Sequence, residues 1–86
     1  MKLLLFRALN RNQILLLQNI ASNSTETITA LIRRLVKVYN ISESTLKANS
    51  RILRNLDLIQ FGGNSVAKLT NFGRDIVRVL GDDGYA

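Results

Sequence analysis

The spacing of apolar residues along the chain predicts four helices, with a β-hairpin before the last of them. Apolar side chains at steps of three and four residues lie on one face of a helix. This spacing predicts helices over 10 to 22, 23 to 39, 43 to 56 and 70 to 81. The period shortens between 58 and 69 around the turn residues Gly-Gly-Asn-Ser, which is typical of a hairpin. The pattern therefore predicts a mostly helical α+β fold in one domain, 1–86.

Two pairs of residues have the spacing of a capping box, in which two side chains close the first turn of a helix reciprocally. Asn10 with Gln13 predicts the start of the first helix, and Asn23 with Glu26 predicts the start of the second. Before the first helix, the run Leu3 to Leu9 is apolar on all sides. That run suits either the first turns of a helix or a short strand.

A three-residue turn is predicted between the second and third helices. Asn40 is a residue type that tolerates the left-handed conformation at a helix end, and Ile41 is expected to plug the turn. Ser42 is a good N-cap, and Glu43 after it suits the positive end of the helix dipole. The predicted arrangement is helix, short turn, helix.

Each predicted helix has an expected inward face. In the third helix the residues on the Leu46 side are Leu46, Asn49, Ile52, Leu53 and Leu56, and the opposite arc carries Ser44, Lys47, Ala48, Ser50, Arg51, Arg54 and Asn55. In the second helix the inward stripe is Ile28, Leu31, Ile32, Leu35, Val36 and Tyr39, with Arg33, Arg34 and Lys37 behind it. The last helix has the stripe Phe72, Ile76, Val79 and Leu80, is capped by Thr70 and ends at Gly81.

The charge of the chain is positive and unevenly distributed. Twelve Lys and Arg oppose six Asp and Glu, which leaves a net charge of +6. Residues 1–54 hold nine of the basic side chains and two of the acidic ones, whereas residues 55–86 are slightly acidic. A one-sided positive field favours a polyanionic partner, with nucleic acid first and an anionic membrane surface second.

The composition argues against catalysis and against a metal or cofactor. Without Cys or His, the chain lacks thiolate ligands, the commonest nitrogen ligand and the usual general base. Its carboxylates occur at helix ends and in the tail, where capping and surface roles account for them. The short apolar run at the N-terminus is too brief for a signal peptide or a membrane span, so an intracellular, nucleoid-associated protein is expected.

Two segments resemble winged helix-turn-helix transcriptional regulators, in particular small archaeal-like ones. The residues that carry the first resemblance are Ser42, Ser44, Thr45, Leu46, Leu53, Leu58 and Ile59, which look like a recognition helix followed by a strand entry. The second resemblance lies in Leu69, Thr70, Gly73, Arg74 and Leu80, similar to the helix after the wing. Together they cover about half of the chain. The resemblance implies that helix 43–56 enters the major groove of duplex DNA.

The resemblance assigns DNA contacts to residues of the third helix, the second helix and the wing. Those expected to face the groove are Ser44, Thr45, Lys47, Ala48 and Arg51, with Arg51 reading guanine. Those expected at phosphates or along the wing are Lys47, Arg54, Arg33, Arg34, Lys37, Asn64, Ser65 and Lys68. Asn49 and Ser50 depart from the family pattern, because an apolar residue is usual there. Either the helix packs loosely or Asn49 bonds to the backbone.

Other functions and a second copy of the chain are also considered. A winged helix used for protein contact is the rival function, and sequence-independent, chromatin-type DNA binding is a third. Leu15 and Leu16 point away from the Ile14, Leu17 and Ala21 side of the first helix, and exposed apolar surface of this size usually marks an interface. A homodimer through segment 1–9 and the first helix is therefore expected, with a fully buried central helix as the alternative. Residues 82–86 are expected to form a frayed tail.

Overall fold

The computed structural model describes residues 8–22 and 25–82, apart from the side chains of 80–82. Its elements are α1 Arg11–Ser22, α2 Ile28–Tyr39, α3 Glu43–Asn55, β1 Ile59–Gln60, β2 Lys68–Leu69 and α4 Asn71–Asp82. The predicted α+β class, mostly helical, is confirmed. The expected dimerisation segment 1–9 lies outside the described residues except for Ala8 and Leu9, and the expected tail lies outside them except for Asp82. No helix in the described part is long and apolar enough to cross a membrane.

Helix α1 begins with the predicted capping box. The Asn10 backbone N–H donates to Gln13 Oε1 at 3.0 Å, and the Gln13 N–H donates to Asn10 Oδ1 at 2.9 Å. These two bonds satisfy groups that a helix start otherwise leaves without partners. The prediction from the Asn10 and Gln13 spacing is confirmed.

Helix α1 is the central element, and the prediction of its two sides was wrong for Leu16 and Ala21 but right for Leu17. It contacts α3, α4 and β2. Leu16 and Leu17 are both completely buried, whereas Ala21 is exposed. Ile14 and Leu15 are half-buried. The inward side is thus centred between Leu16 and Leu17, because neighbours cover the helix from more than one direction.

Helix α2 begins five residues later than the capping signature predicted. Thr27 is the N-cap, and its side chain accepts the N–H of Ala30. Thr27 also forms an antiparallel bridge with Val66, and the Glu26 carbonyl accepts the Ala67 N–H at 2.9 Å. This pairing with the hairpin holds Thr27 in an extended conformation, and α2 starts directly after it.

The inward stripe of α2 is confirmed except at its end. The residues Ile28, Leu31, Ile32 and Leu35 are buried, and Val36 is half-buried. Tyr39 was predicted to point inward but is 52% exposed. It is the last residue of the helix, beyond the stretch that the core covers.

The turn between α2 and α3 has the predicted length and caps. Asn40 adopts the left-handed conformation with φ 55°, and its N–H donates to the Val36 carbonyl. The Ser42 hydroxyl accepts the Thr45 N–H at 3.3 Å and starts α3. Helix, three-residue turn and helix follow one another as expected.

A short antiparallel hairpin follows α3. Ile59 pairs with Leu69 and Gln60 with Lys68. At the tip, the Ser65 N–H donates to the Gly62 carbonyl at 3.0 Å, and Gly63 has φ +54°, which favours glycine. The predicted hairpin is confirmed, with strands of two residues each.

Helix α4 is capped by Thr70, as predicted, and closes the core over Ile76. The Thr70 hydroxyl accepts the Gly73 N–H at 2.9 Å and donates to the Asp57 carbonyl at 2.6 Å. Ile76 is completely buried, while Phe72 and Val79 are half-buried. The helix runs to Asp82, one residue past the predicted end at Gly81.

Candidate nucleic-acid interface

Helix α3 is rotated relative to the predicted inward face. Its buried residues are Leu46, Asn49, Ser50 and Leu53. Ser50 was predicted to lie outward but is 2% exposed, whereas Ile52 and Leu56, predicted inward, are 44% and 39% exposed. Ser50 tolerates burial because its hydroxyl donates to the Lys47 carbonyl at 2.8 Å. The outward face therefore turns slightly toward Ile52.

Asn49 anchors α3 from behind with its side-chain amide. Its Nδ2 donates to the Thr45 carbonyl at 2.8 Å, and its Oδ1 accepts from Asn10 Nδ2 at 3.1 Å. Asn49 is only 7% exposed, so its amide is largely shielded from water, whereas its partner Asn10 is exposed. Of the two readings left open for this position, the bond to the backbone is confirmed, and a link to the start of α1 is added.

The outward side of α3 carries cations beside small polar residues. The exposed residues along it are Ser44, Lys47, Ala48, Arg51, Arg54 and Asn55, and Thr45 is half-buried. At 100° per residue, the middle of this side is the row Ser44, Ala48, Arg51 and Asn55. Only one long side chain lies in that row, so the helix backbone can approach another surface closely.

The cations of α3 differ in what already binds them. Lys47 Nζ forms an ion pair with Glu43 at 3.1 Å, and both side chains are about half exposed. The guanidinium of Arg54 lies 4.4 Å from the centre of the Phe61 ring, a cation–π contact. Arg51 forms no ion pair with any residue that the structure describes. Arg51 is therefore the α3 cation most available to a ligand.

The three α2 cations that were predicted to contact phosphate differ in their exposure and in their bonding partners. Arg33 and Lys37 are exposed, as expected for phosphate contacts. Arg34 was predicted to share their solvent-facing side but is half-buried. It donates to both carboxylate oxygens of Glu26, at 2.8 to 3.2 Å, and to Asn19 Oδ1 at 3.3 Å. Arg34 is thus engaged by Glu26 and Asn19 within the fold, and its contact with a phosphate stays a prediction.

The pKa values of this pair follow from the same bonds. The hydrogen bonds from Arg34 hold the pKa of Glu26 below its ordinary value, and partial burial opposes that shift only in part. The bonds to Glu26 raise the pKa of Arg34. Both groups are consequently charged at neutral pH, and their charges compensate each other.

A cleft of about 230 Å³ separates α2 from α3. Its lining residues are Ile28, Thr29, Ile32, Arg33, Glu43, Lys47, Ser50, Arg51 and Phe61. Arg33 of α2 and Arg51 of α3 therefore border the same space. The sequence pattern placed these arginines on separate helices and did not predict that they border one cleft.

The predicted wing residues lie apart from that cleft. Asn64 and Ser65 are exposed at the hairpin tip. Lys68 is exposed on β2 and lines surface grooves beside Gln60 and Arg74. The structure thus brings together Arg33, Lys47 and Arg51, and it leaves the wing residues as a second, separate group.

Three residues of the interface were not predicted as contacts. Asn55 was placed on the outward arc of α3 by the helical period, but it was given no role. Thr29 was missed because α2 was predicted to start too early, which put it inside the helix rather than in its first turn. Phe61 was given no role in binding, and it is half-buried beside the cleft.

The described residues contain no group of three or more acidic, His or Cys side chains that could hold a metal ion. No protein-family model, no curated protein and no solved structure compared with this chain matches it. The winged-helix resemblance of the sequence motifs therefore stays a prediction.

Proposed function

We propose that the chain is a winged helix-turn-helix protein that binds duplex DNA by placing α3 in the major groove, as a transcriptional regulator does. The observation that carries the proposal is the outward side of α3, where Lys47, Ala48 and Arg51 are exposed while Leu46 and Leu53 hold the helix from behind. A major groove about 12 Å wide admits one α-helix, and its edges require hydrogen-bond donors and acceptors.

The arrangement of the hairpin supports the winged form of the fold. The segment before α2 pairs with the hairpin through Thr27 and Val66, and β1 contacts α3. The hairpin is thereby tied to the helix pair on two sides. Its tip residues Asn64 and Ser65 have short polar side chains suited to a phosphate or a minor-groove edge.

The uneven charge supports a nucleic acid over a protein partner. The exposed cations of α2 and α3 lie on the outward sides of the two helices that the turn joins. A protein-docking module is expected to present apolar or acidic groups on this side. Ile52 and Leu56 are apolar and exposed there, but cations outnumber them.

Direct base contacts are assigned to the central row of α3. Ala48 and the hydroxyl of Ser44 are small, and the Ser44 hydroxyl is bonded to that of Ser42 at 2.9 Å. Asn55 carries an amide that can bond bidentately to adenine. Such a row suits modest sequence preference, because few of its side chains reach far into a groove.

We further propose that the protein acts as a homodimer. Helix α1 and the α2–α3 turn border an open cleft of about 680 Å³, whose apolar residues are Ile14, Leu15, Tyr39 and Ile41. Two copies would present two α3 helices, as dimeric regulators do to half-sites one helical turn apart.

A salt titration of duplex binding tests the proposal. The dissociation constant is measured with a fluorescent duplex selected from a random pool and with a scrambled duplex of the same length, at several salt concentrations. The expected result is a slope of the logarithm of the association constant against log salt of about −3 to −5 for each bound protomer, since about four to five phosphates would meet the cations of one copy. The selected duplex should also bind more tightly than the scrambled one.

The alternatives predict different results from the same titration. A protein-docking module gives no saturable binding to either duplex. A chromatin-type binder gives the steep salt dependence but equal affinity for both duplexes. Either result refutes the regulator proposal.

A further inference from the structure

The cleft between α2 and α3 combines a charged rim with an apolar floor. Arg33, Lys47 and Arg51 lie at the rim with one carboxylate, Glu43. Lys47 already pairs with that carboxylate at 3.1 Å. The rim therefore has an excess of positive charge, which the two arginines supply.

Arg33 and Arg51 form no ion pair with any residue in the described ranges 8–22 and 25–82. The contrast with Arg34 is direct, because Arg34 is the next residue along α2 and is fully engaged by Glu26. Glu26 thus neutralises Arg34, whereas Arg33 lies at the cleft without an ion pair among the described residues.

The floor and wall of the cleft indicate what kind of anion fits. Ile28, Ile32 and Phe61 contribute carbon surface, and Thr29 adds a hydroxyl at the first turn of α2. A small inorganic anion has no apolar atoms that could pack against this carbon surface. A phosphodiester carries its charge on two oxygens, which guanidinium groups bind in a forked geometry, and its attached sugar offers apolar atoms.

We propose that this cleft binds one backbone phosphodiester of a nucleic-acid strand, clamped between Arg33 and Arg51 with the sugar against Phe61. The proposal rests on the DNA-binding function and deepens it. It changes the role of Arg51 from reading guanine to holding the backbone, and it makes α2 and α3 act on the same phosphate.

A double-mutant cycle on duplex DNA tests the shared phosphate. The variants are Arg33→Gln, Arg51→Gln and the double variant, with Arg78→Gln, an exposed arginine of α4 outside the cleft, as the control that should leave affinity unchanged. Each single arginine variant should lower affinity about tenfold. The double variant should lose much less than the hundredfold that independent contacts give, and its salt slope should fall by about 0.9, the value for one phosphate.

If the losses of affinity from the two single variants add up in the double variant, Arg33 and Arg51 do not share one phosphate, and the proposed clamp is overturned. A hundredfold loss with a slope change of about 1.8 places the arginines on separate phosphates. If Arg51→Gln weakens binding to the selected duplex only, Arg51 contacts a guanine, as the sequence predicted. That result also overturns the proposal. Because all the substituted side chains are exposed, circular dichroism should show each variant folded.

A second experiment does not depend on duplex binding. Inorganic phosphate is titrated into the isotope-labelled protein at low salt, and the Nε–Hε signals of the arginines are followed by NMR. Arg33 and Arg51 should shift together with one saturation curve, while Arg74 and Arg78 of α4 should not. Glu43→Gln should tighten phosphate binding, because it removes the carboxylate at the rim.

The two experiments separate the clamp from the DNA-binding proposal. If the protein binds no duplex but phosphate shifts both arginine signals, the DNA-binding proposal fails, and the clamp is overturned as a nucleic-acid site although both arginines share an anion. If duplex binds and phosphate shifts all arginines alike, the clamp fails alone. Flotation with phosphatidylglycerol vesicles that requires both arginines, without any loss of duplex affinity in the double variant, assigns the cleft to lipid and overturns it.

Discussion

Asn49 shows how one buried amide sets the orientation of α3. It bonds to the Thr45 carbonyl within its own helix and to Asn10 at the start of α1. Because Asn10 also caps α1, the same residue joins the two helices. The polar pair therefore restricts the rotation of α3 more sharply than an apolar contact would.

Asn49→Ala should lower the free energy of unfolding by about 1 to 3 kcal/mol, since it removes two side-chain hydrogen bonds made by a buried amide. The measurement is urea unfolding followed by circular dichroism. Asn55→Ala, an exposed amide on the same helix, is the control and should change stability by less than about 0.5 kcal/mol. Equal effects of the two substitutions contradict the role given to Asn49.

The Glu26–Arg34 pair gives stability a dependence on pH. The pKa of Glu26 is lowered in the fold, so its contribution is present above the unfolded value of about 4.5 and is lost as pH falls through the lower folded value. The side chains are 19% and 37% exposed, and solvent screening limits the pair to about 1 kcal/mol.

Glu26→Gln should therefore destabilise the protein by about 1 kcal/mol at pH 7, and the difference from the unsubstituted protein should shrink between pH 5 and pH 3. Urea unfolding at several pH values measures it. A difference that stays constant over this range argues against the ion pair as its source.

At the scale of the element, Gly73 determines how closely α4 approaches Leu58, the residue before β1. A Cβ at this position would overlap the Leu58 carbonyl oxygen, which is backbone and cannot rotate away. That carbonyl also accepts the Thr70 N–H at 3.0 Å, so its position is held. The first turn of α4 therefore packs directly on the chain that enters the hairpin.

Gly73→Ala should destabilise the protein by about 1 to 3 kcal/mol, because the clash forces helix or hairpin to move. The midpoint of thermal unfolding measures this. Gly62→Ala is the matched control, since a Cβ there meets nothing within 4 Å and its φ is not positive. A stability of Gly73→Ala equal to that of the control refutes the close approach.

The elements that were predicted correctly depend on local chemistry. The caps at Asn10, Ser42 and Thr70 each bond within three residues, so the spacing of side-chain types along the chain is sufficient to find them. The start of α2 was missed because Thr27 pairs with Val66, far away along the chain. No local pattern contains that contact.

The candidate site likewise has some features that follow from the local sequence and others that depend on how the helices pack. The exposure of Lys47 and Arg51 follows from the helical period and could be predicted. The burial of Ser50 also follows from the period, since it lies about 40° from Leu46 around the helix, but its polar side chain led to the wrong prediction, although an internal hydrogen bond satisfies it. Arg33 and Arg51 border the same cleft because of the way α2 packs on α3. The periodicity of each helix alone does not predict that packing.

At the scale of the whole molecule, the homodimer remains a prediction. Leu15 is half-buried in the open cleft beside Tyr39 and Ile41. Leu15→Glu should shift sedimentation from dimer to monomer at protein concentrations of about tens of micromolar, because it adds a charge to an apolar contact surface. Ala21→Glu, exposed on the same helix, should leave the mass unchanged. Monomer alone in the unsubstituted protein excludes the dimer.

The central claim is that the outward side of α3 lies against DNA, and one pair of matched substitutions tests it directly. Ala48→Glu places a negative charge in the middle of that side, whereas Ala21→Glu adds the same charge at the exposed end of α1. Duplex affinity is measured for both by fluorescence anisotropy. Ala48→Glu should bind at least about tenfold more weakly than Ala21→Glu, because like charges repel across the contact. Equal affinities for the two variants contradict the account.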